Sequence, residues 1–388
     1  MEDSFKYLYL ASSNSAKEYI LDVLETLALP FGEVQHFRYE LKWIDNELKK
    51  EIPYKLDKVN KIKNTNIIVY YLYLRKGDNQ GQFIDTYPIR IGKLVDAYKT
   101  GDSDEDIAHF YFKLENYISY NNKIYKSEIY KKVKENFMNK SQNTKDFIDG
   151  EGIPGFTLVS ELDIKEEQIK EFTASKENSL SAFYEICNNL KLEHLTTPEG
   201  KKYYPIFHFI NGIKNENGKL LEPKYDSVSH KSYYSFGETV KYLLEFSTYS
   251  PELQKTPNAV TRLLSNSKIF STPSAYTLNI TSRYNEESWQ LISNILEQNV
   301  WTNISFKTIL KLKDKAYDPL NLDINFNVKI SRNIKYRAID IMTELLVVIF
   351  GALIAVFTGL SIGKRITIVA ILTIWFVLKI FKISKWGK

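Results

Sequence analysis

The most regular hydrophobic pattern in the chain lies between residues 276 and 330, where apolar residues occupy every second position. Such alternation places apolar side chains on one face of a β-strand. Three rows share the pattern and predict an antiparallel sheet: Tyr276, Leu278 and Ile280; Ile304, Phe306, Thr308, Leu310 and Leu312; and Leu322, Ile324, Phe326, Val328 and Ile330. Between the first two rows, helical spacing predicts an amphipathic helix through Trp289, Ile292, Ile295 and Leu296.

The residues before this sheet mix strand and helix patterns. A capping box formed by Ser15 and Glu18 begins one predicted helix, which ends before Pro30. Further helices are predicted over residues 126–140 and 165–190. Strands are predicted over residues 5–10, 66–75, 89–98, 107–118 and 203–213. The predicted fold class of the first 330 residues is therefore α+β with an antiparallel sheet.

A change in composition divides this region. Residues 141–155 are rich in Ser, Asn, Asp and Gly and show no periodicity, which is typical of a linker. We therefore predict an N-terminal α+β region over residues 1–150 and a second α+β region over residues 151–330, β-rich near its end. Residues 331–388 form a third unit of different character.

Two long apolar runs dominate this third unit, residues 341–362 and 366–383. At about 1.5 Å per residue, the first run forms a helix of about 30 Å, which matches the hydrocarbon core of a bilayer. The runs predict a C-terminal two-helix transmembrane hairpin behind a soluble region, and hence a multi-pass protein of the cell membrane. The alternative is a hairpin buried in a large globular core.

Basic residues flank the predicted spans unequally. The loop between the spans holds Lys364 and Arg365, whereas seven basic residues lie outside it. By the positive-inside rule, both termini are expected in the cytoplasm. The same seven residues are expected to bind anionic lipid headgroups: Arg332, Lys335, Arg337, Lys379, Lys382, Lys385 and Lys388.

Charge is distributed differently in the rest of the chain. The whole chain has 52 Lys and Arg against 47 Asp and Glu, but nine of the basic and only two of the acidic residues follow position 330. The remainder is therefore slightly acidic, and no direct nucleic-acid binding is expected from it. A single cysteine, Cys187, excludes an intramolecular disulfide and favours a reducing compartment.

No recognisable catalytic motif is present. The chain lacks a Walker-type phosphate loop, a dinucleotide-binding glycine motif, a nucleophile elbow and a zinc-protease helix. The five histidines are scattered without the spacing of metal ligands: His36, His109, His194, His208 and His230. We therefore predict no catalytic residue, no metal and no cofactor, and we expect the protein not to be an enzyme.

Two further features of the sequence suggest surfaces that contact lipid, a partner protein or another helix. One is a basic run: Lys49, Lys50, Lys55, Lys58, Lys61 and Lys63. It is interpreted either as a solvated helix face or as a basic patch for anionic lipid or an acidic partner. The other is a stripe of small residues in the first predicted span: Gly351, Ala355, Gly359 and Gly363. It predicts close helix packing, either within the chain or in a homo-oligomer.

The order of these parts resembles that of the membrane effector associated with short prokaryotic Argonautes, in prokaryotic antiviral or anti-plasmid defence. The resemblance lies in the domain architecture, and no residue role follows from it. It implies an oligomeric effector that depolarises or permeabilises the membrane, binds anionic phospholipid and is activated by an Argonaute-type sensor complex. The alternatives are a membrane-tethered adaptor or scaffold without toxic activity, and a membrane-bound enzyme whose active site no motif reveals.

Overall fold

A computed structural model gives the architecture of the protein. It describes residues 6–44, 46–55, 60–76, 82–120, 159–163, 169–170, 173–190, 192–251, 258–271, 275–296 and 298–332, followed by short stretches between 338 and 371. Strand takes up 50% of the structure and helix 21%. The fold is therefore mostly β.

The strands are β1 (Lys6–Ser13), β2 (Val34–Glu40), β3 (Asn66–Lys76), β4 (Gln82–Lys99), β5 (Ile107–Tyr117), β6 (Val159–Asp163), β7 (Tyr203–Pro205), β8 (Phe207–Asn215), β9 (Lys224–Asp226), β10 (Lys231–Gly237), β11 (Lys241–Tyr249), β12 (Asn258–Leu264), β13 (Ala275–Ile280), β14 (Tyr284–Ile292), β15 (Val300–Lys311), β16 (Asp318–Leu320) and β17 (Asp323–Ser331). The α-helices whose bounds lie within the described residues up to 332 are α1 (Lys17–Ala28), α2 (Asn46–Glu51) and α3 (Ser179–Asn189). Short 3₁₀ helices cover Leu41–Trp43, Lys176–Asn178 and Leu192–Leu195.

The first sheet has six strands in the order β2-β5-β4-β3-β1-β6. The neighbouring strands β1 and β3 are parallel, and the other neighbours are antiparallel. Strand β3 is buried because both of its faces are covered, which explains why its sequence is an unbroken apolar run. Helix α1 packs against β1, and its Ile20, Val23, Leu24 and Leu27 are buried at helical spacing.

The second half of the described chain forms a β-sandwich. A six-stranded sheet, β13-β12-β15-β17-β10-β9, faces a three-stranded sheet, β14-β11-β8. Between them, the ring of Phe246 on β11 packs edge-on against Phe306 on β15, with 5.0 Å between centroids. Alternation on β15 and β17 turns their apolar rows toward this contact and their polar rows outward.

The two halves share one core of buried side chains. Helix α1 contacts β8 as well as β1, so it lies between the first sheet and the sandwich. Phe209 on β8 lies 5.7 Å from Tyr117 on β5 and 5.6 Å from Phe183 on α3, measured between ring centroids. The edge strand β2 is thereby brought beside β10, and this junction forms the candidate site below.

Several predicted elements are confirmed. The strands near residues 5–10, 66–75, 89–98, 107–118 and 203–213 are present, as are the helix after Ser15 and the three alternating rows. Other predictions fail or are not covered. The predicted helix through Trp289 and Ile292 is wrong, because these residues lie in β14. Of the helix expected over residues 165–190, the part seen as α-helix with described bounds is α3. The predicted helix 126–140 and boundary 141–155 lie outside the described residues.

The predicted fold class is wrong in two respects. The described chain is mostly β, and a strand, β14, occupies part of the segment around Trp289 and Ile292 where a helix was expected. In addition, no helix among the described residues is long and apolar enough to cross a membrane.

The predicted transmembrane hairpin is corrected accordingly. The spans 341–362 and 366–383, the placement in the cell membrane and the cytoplasmic orientation of both termini all depended on long helices that the described residues do not contain. The described structure gives no support to the predicted membrane placement or to the predicted role as a defence effector. Much of both predicted spans lies outside the described residues.

Candidate functional site

Imidazole and phenol rings gather on one face of the first sheet. His36 on β2 is the direct cross-strand neighbour of Tyr111 on β5, and Tyr98 on β4 is the neighbour of His109. Cross-strand neighbours on one face are in contact distance. The rings of His36 and Tyr111 are stacked with 4.3 Å between centroids, and those of Tyr98 and His109 with 4.7 Å. Nε2 of His36 and Nδ1 of His109 share a hydrogen bond of 3.0 Å.

A fifth ring, from the other half of the chain, covers this face. His230 lies in the turn between β9 and β10 with a positive φ of 53°, which is uncommon outside glycine. Its ring stacks on Tyr111 with 4.6 Å between centroids. Its Nδ1 lies 3.2 Å from Oδ2 of Asp96 and 3.1 Å from the hydroxyl of Tyr225. The turn conformation thus serves to place the imidazole on the ring cluster.

The protonation of the cluster is set mainly by burial. Burial, followed by the nearby His109, lowers the pKa of His36 to about 4. Burial and the charge of Arg38 also lower the pKa of His109. Burial and a hydrogen bond with Tyr98 raise the pKa of Tyr111. At neutral pH, His36, His109 and Tyr111 are therefore uncharged and form a stacking surface.

Three rings of the cluster, those of His36, Tyr111 and His230, form one wall of a cleft of about 470 Å³ between the two halves. Helix α1 and strand β2 form one side, and β10 and β17 form the other. The polar side chains that line the cleft include Asp22, Glu25, Arg38, Lys231, Asn325 and Asn327. A concave site with rings on one wall and converging polar groups on the other is typical of a small-molecule site.

Carboxyl groups in the cleft hold protons unusually tightly. Burial, with a further contribution from the charge of Glu25, raises the pKa of Asp22 to about 7. Burial raises the pKa of Glu33 to about 7 and also raises that of Glu25. Raised carboxyl pKa values in a cleft favour proton transfer near neutral pH.

The three carboxyl groups differ in their partners. The hydroxyl of Ser232 donates a hydrogen bond to Glu33, which ties β2 to β10. Nε2 of Gln35 lies 3.4 Å from Oε2 of Glu25. The Asp22 carboxyl accepts no hydrogen bond and forms no ion pair with any side chain in the described part of the molecule. Of the three, Asp22 is therefore the group with free capacity to exchange a proton with a ligand.

A second, smaller cavity of about 290 Å³ adjoins the cleft near the start of α1. It is lined by Ser12 and Ser13 at the end of β1 and by the aromatic rings of Tyr39 and Trp43. Asp22 and Arg38 line both cavities. Because these two side chains form the shared wall, Asp22 is accessible from either side.

None of the described residues that were predicted to contact lipid, a partner or another helix lines this cleft. In the predicted basic patch, Nζ of Lys49 lies 3.1 Å from Asp104 and Nζ of Lys50 lies 2.9 Å from Glu47, so part of its charge is neutralised locally. Lys58 lies outside the described residues, as do six of the predicted lipid-binding residues and two of the small-residue stripe: Lys335, Arg337, Lys379, Lys382, Lys385, Lys388, Ala355 and Gly359. Arg332 follows β17 and donates its backbone N–H to Asn299. The roles predicted for all of these residues stay predictions.

Sequence reasoning missed the ring cluster. His36, His109 and His230 are separated by many residues, and only the pairing of β2 with β5 and the turn before β10 bring them together. A partial signal was present, because His109 lies in the strand predicted over residues 107–118 with Tyr111 two positions on, but no strand was predicted around His36. Within the described part of the chain, no three His, Cys, Asp or Glu side chains converge to hold a metal ion.

Comparison with known proteins adds no family: no protein-family model matches the chain, and no curated protein matches it.

Proposed function

We propose that the cleft between β2 and β10 is an acid–base site that binds a hydroxylated ring compound, a sugar or a nucleoside, and exchanges a proton with it through Asp22. The observation that carries this proposal is the position of the Asp22 carboxyl group. Its pKa is raised to about 7, it accepts no hydrogen bond from the described residues, and it lines a cleft with a stacking wall. A carboxyl group of this kind is suited to act as a general acid or base.

The two walls of the cleft account for the class of ligand. The rings of His36, Tyr111 and His230 are stacked, and those of His36 and Tyr111 are uncharged at neutral pH, so they offer a flat surface to the face of a ring. On the opposite side, the amides of Asn325 and Asn327 can both donate and accept hydrogen bonds. A ring compound with hydroxyl groups fits these two walls, because its face can stack on the rings and its hydroxyl groups can form hydrogen bonds with the amides.

Proton exchange depends on the environment of Asp22. Burial disfavours the charged carboxylate, while Arg38 partly offsets this effect. With a pKa of about 7, both forms of Asp22 are populated at neutral pH, and either a ligand hydroxyl or a leaving oxygen can take part in the transfer. The partnered carboxyl of Glu33 instead holds the two halves together at the rear of the cleft.

This proposal replaces the effector hypothesis as the function that the geometry supports best. The effector and adaptor hypotheses both required membrane spans, which the described residues do not contain. The third hypothesis, a membrane-bound enzyme, depended on the same spans for its membrane attachment, but its enzymatic part is favoured by a cluster of buried carboxyl and imidazole groups such as the one in the cleft. An Argonaute-type partner and a homo-oligomer stay predictions from the resemblance.

The test is calorimetric titration of the full chain with glucose, N-acetylglucosamine, adenosine and uridine, in buffers of different ionisation enthalpy. We expect at least one probe to bind wild-type protein with uptake or release of a proton near pH 7. Asp22→Asn should remove the proton exchange and weaken binding about tenfold. Glu199→Gln, an exposed carboxyl in the turn after residue 197, is the matched control and should bind as wild type does.

Two results would overturn the proposal. One is the absence of binding by all four probes to correctly folded protein. The other is binding whose affinity and proton exchange are the same in Asp22→Asn and wild type, because the carboxyl group would then play no part.

A further inference from the structure

The outward face of the six-stranded sheet carries a surplus of positive charge. Alternation on β12, β15 and β17 places Arg262, Lys307, Lys311 and Lys329 on the side that faces away from the sandwich core. Lys231 and Lys224 extend the same face onto β10 and β9. The acidic residues of these strands on this face are Asp323 and Asp226. Within the described strands, six cations therefore share the face with two anions.

Two of these cations lie directly opposite each other on neighbouring strands. Arg262 on β12 is the direct cross-strand neighbour of Lys307 on β15. Like charges at directly opposed positions destabilise a sheet. Lys307 is compensated by Asp323, with 2.6 Å between Nζ and Oδ2, whereas Arg262 forms no hydrogen bond or ion pair with the described residues. The uncompensated guanidinium is available to an external anion.

Aromatic side chains lie among the cations. Trp301 on β15 is 55% exposed, and its ring contacts Tyr233 on β10 with 4.8 Å between centroids. Nζ of Lys329, the cross-strand neighbour of Trp301, lies 5.3 Å from the centre of the indole ring. Single exposed apolar residues are common on protein surfaces. Two rings in contact beside a lysine instead form a platform that can stack a planar group next to a negative charge.

The other end of the face contains a groove of about 510 Å³. Its floor includes the neighbouring side chains of Val260 and Ile309, and its polar side chains include Arg262 and Lys311. Trp301 and Lys311 are separated by about 33 Å along β15, at about 3.3 Å per residue. The platform and the groove are thus two contact areas along a single strand, with cations at both.

We propose that this outward face of the β13-β12-β15-β17-β10-β9 sheet binds single-stranded nucleic acid. Aromatic side chains stack on bases of any sequence, and interspersed lysine and arginine residues contact the phosphates between them. A duplex hides the faces of its bases from such a platform, so it cannot use Trp301 in the same way. The face adjoins the proposed acid–base cleft at Lys231, which lines both, but the proposed binding relies on Trp301, Arg262 and Lys311, which do not line the cleft.

The proposal departs from the expectation that the net charge of the first 330 residues argues against nucleic-acid binding. That expectation averaged charge over the whole surface. Alternation along β15 and β17 segregates charge by face, so a chain that is close to neutral can present a local basic surface.

The test measures fluorescence anisotropy of labelled oligo-deoxythymidine of about 12 nucleotides, a length within the site sizes of single-strand binders, with the full chain at several salt concentrations. We expect binding that weakens as salt increases. Arg262→Gln with Lys311→Gln should lower the slope of log affinity against log salt by roughly 1.4, about 0.7 for each lost phosphate contact. Trp301→Ser should weaken binding about tenfold or more, and Trp301→Phe should restore most of it.

The matched control is Lys219→Gln with Lys241→Gln, which removes two exposed cations from the part of the chain around β8 and β11. This control should leave affinity and salt slope unchanged. Three results would overturn the proposal: equal binding to a duplex of the same length, equal loss of binding in the control and in the Arg262 and Lys311 variant, or unchanged binding in Trp301→Ser. A face that binds heparin or anionic vesicles but not the oligonucleotide would likewise be a general polyanion surface.

Discussion

Nη1 of Arg90 on β4 lies 3.0 Å from the carbonyl oxygen of Thr26, in the last turn of α1. The guanidinium is completely buried, and it also donates hydrogen bonds to the carbonyl oxygens of Leu29 and Glu115. The last carbonyls of a helix lack intrahelical partners and carry the negative end of the helix dipole. Arg90 therefore satisfies the end of α1 from the neighbouring sheet, and its charge is balanced by backbone oxygens.

We expect Arg90→Leu to lower the free energy of unfolding by about 3 kcal/mol or more, because several buried carbonyl groups lose their donor. Arg90→Lys should recover only part of this loss, since an ammonium cannot reproduce the planar fork of the guanidinium. Chemical denaturation monitored by circular dichroism measures both. Arg262→Leu on the exposed sheet face is the control, and a cost for Arg90→Leu as small as for this control would contradict the capping role.

Asp22 gives a prediction about pH. Its pKa is about 7 in the folded chain and 3.8 when unperturbed, so the folded state binds the proton more tightly. The resulting stabilisation is fully present below pH 4 and is lost as pH rises toward 7. Between pH 4 and pH 8, the unfolding free energy of Asp22→Asn should therefore fall by about 2–4 kcal/mol less than that of wild type. The magnitude follows from about 1.4 kcal/mol per pKa unit. Urea denaturation at the two pH values measures this difference, and parallel curves for the two proteins would contradict it.

For His208 we expect stability to depend on pH in the opposite sense, falling as the pH is lowered. It is buried in the sandwich, its Nε2 shares a hydrogen bond of 2.7 Å with the hydroxyl of Thr308, and burial lowers its pKa to about 3. The folded state therefore favours the neutral ring, and stability is lost as pH falls from 6.5 toward 3. His208→Gln can keep the contact with Thr308 without titrating. Between pH 7 and pH 4.5, we expect the variant to lose about 2–3 kcal/mol less than wild type.

The control for this prediction is the exposed Glu199→Gln, which should follow the wild-type curve. If His208→Gln lost as much stability in acid as wild type does, another group would be responsible for the acid sensitivity.

At Gly212 we expect a substitution to lower stability by straining the local backbone. It lies on β8 opposite the irregular pairing at Glu245 and Phe246, with a φ of +128°. A Cβ atom at this position would lie 2.7 Å from Cδ1 of Leu220. Gly212→Ala should lower the unfolding free energy by about 2–3 kcal/mol, from backbone strain and displacement of Leu220. Gly218→Ala also has a positive φ but open space around it, so it should cost about 1 kcal/mol.

Local periodicity was enough to predict many elements but not their arrangement. The rows on β15 and β17 could be read from alternation, since burial of one face imposes a period of two. The same reasoning failed at Trp289, which follows helical spacing by coincidence and pairs instead with Leu244 on β11. A short apolar segment fits either period, and its strand partners decide between them.

The candidate site depended even more on tertiary structure. His36 and Tyr111 become neighbours only through strand pairing, and Asp22 acquires its raised pKa only because folding buries it beside Glu25. Burial and proximity are properties of the folded chain, so neither a motif search nor the overall charge could indicate them.

The sequence by itself determined where strands β1, β3, β15 and β17 and helix α1 form, because each needs only local periodicity and one apolar face. Tertiary structure decided which strands pair, that the described chain is mostly β, and that Asp22, His36 and His230 line one cleft. The physical reason is that strand pairing joins residues distant in sequence through backbone hydrogen bonds, which carry no signature in the side-chain pattern of either strand alone.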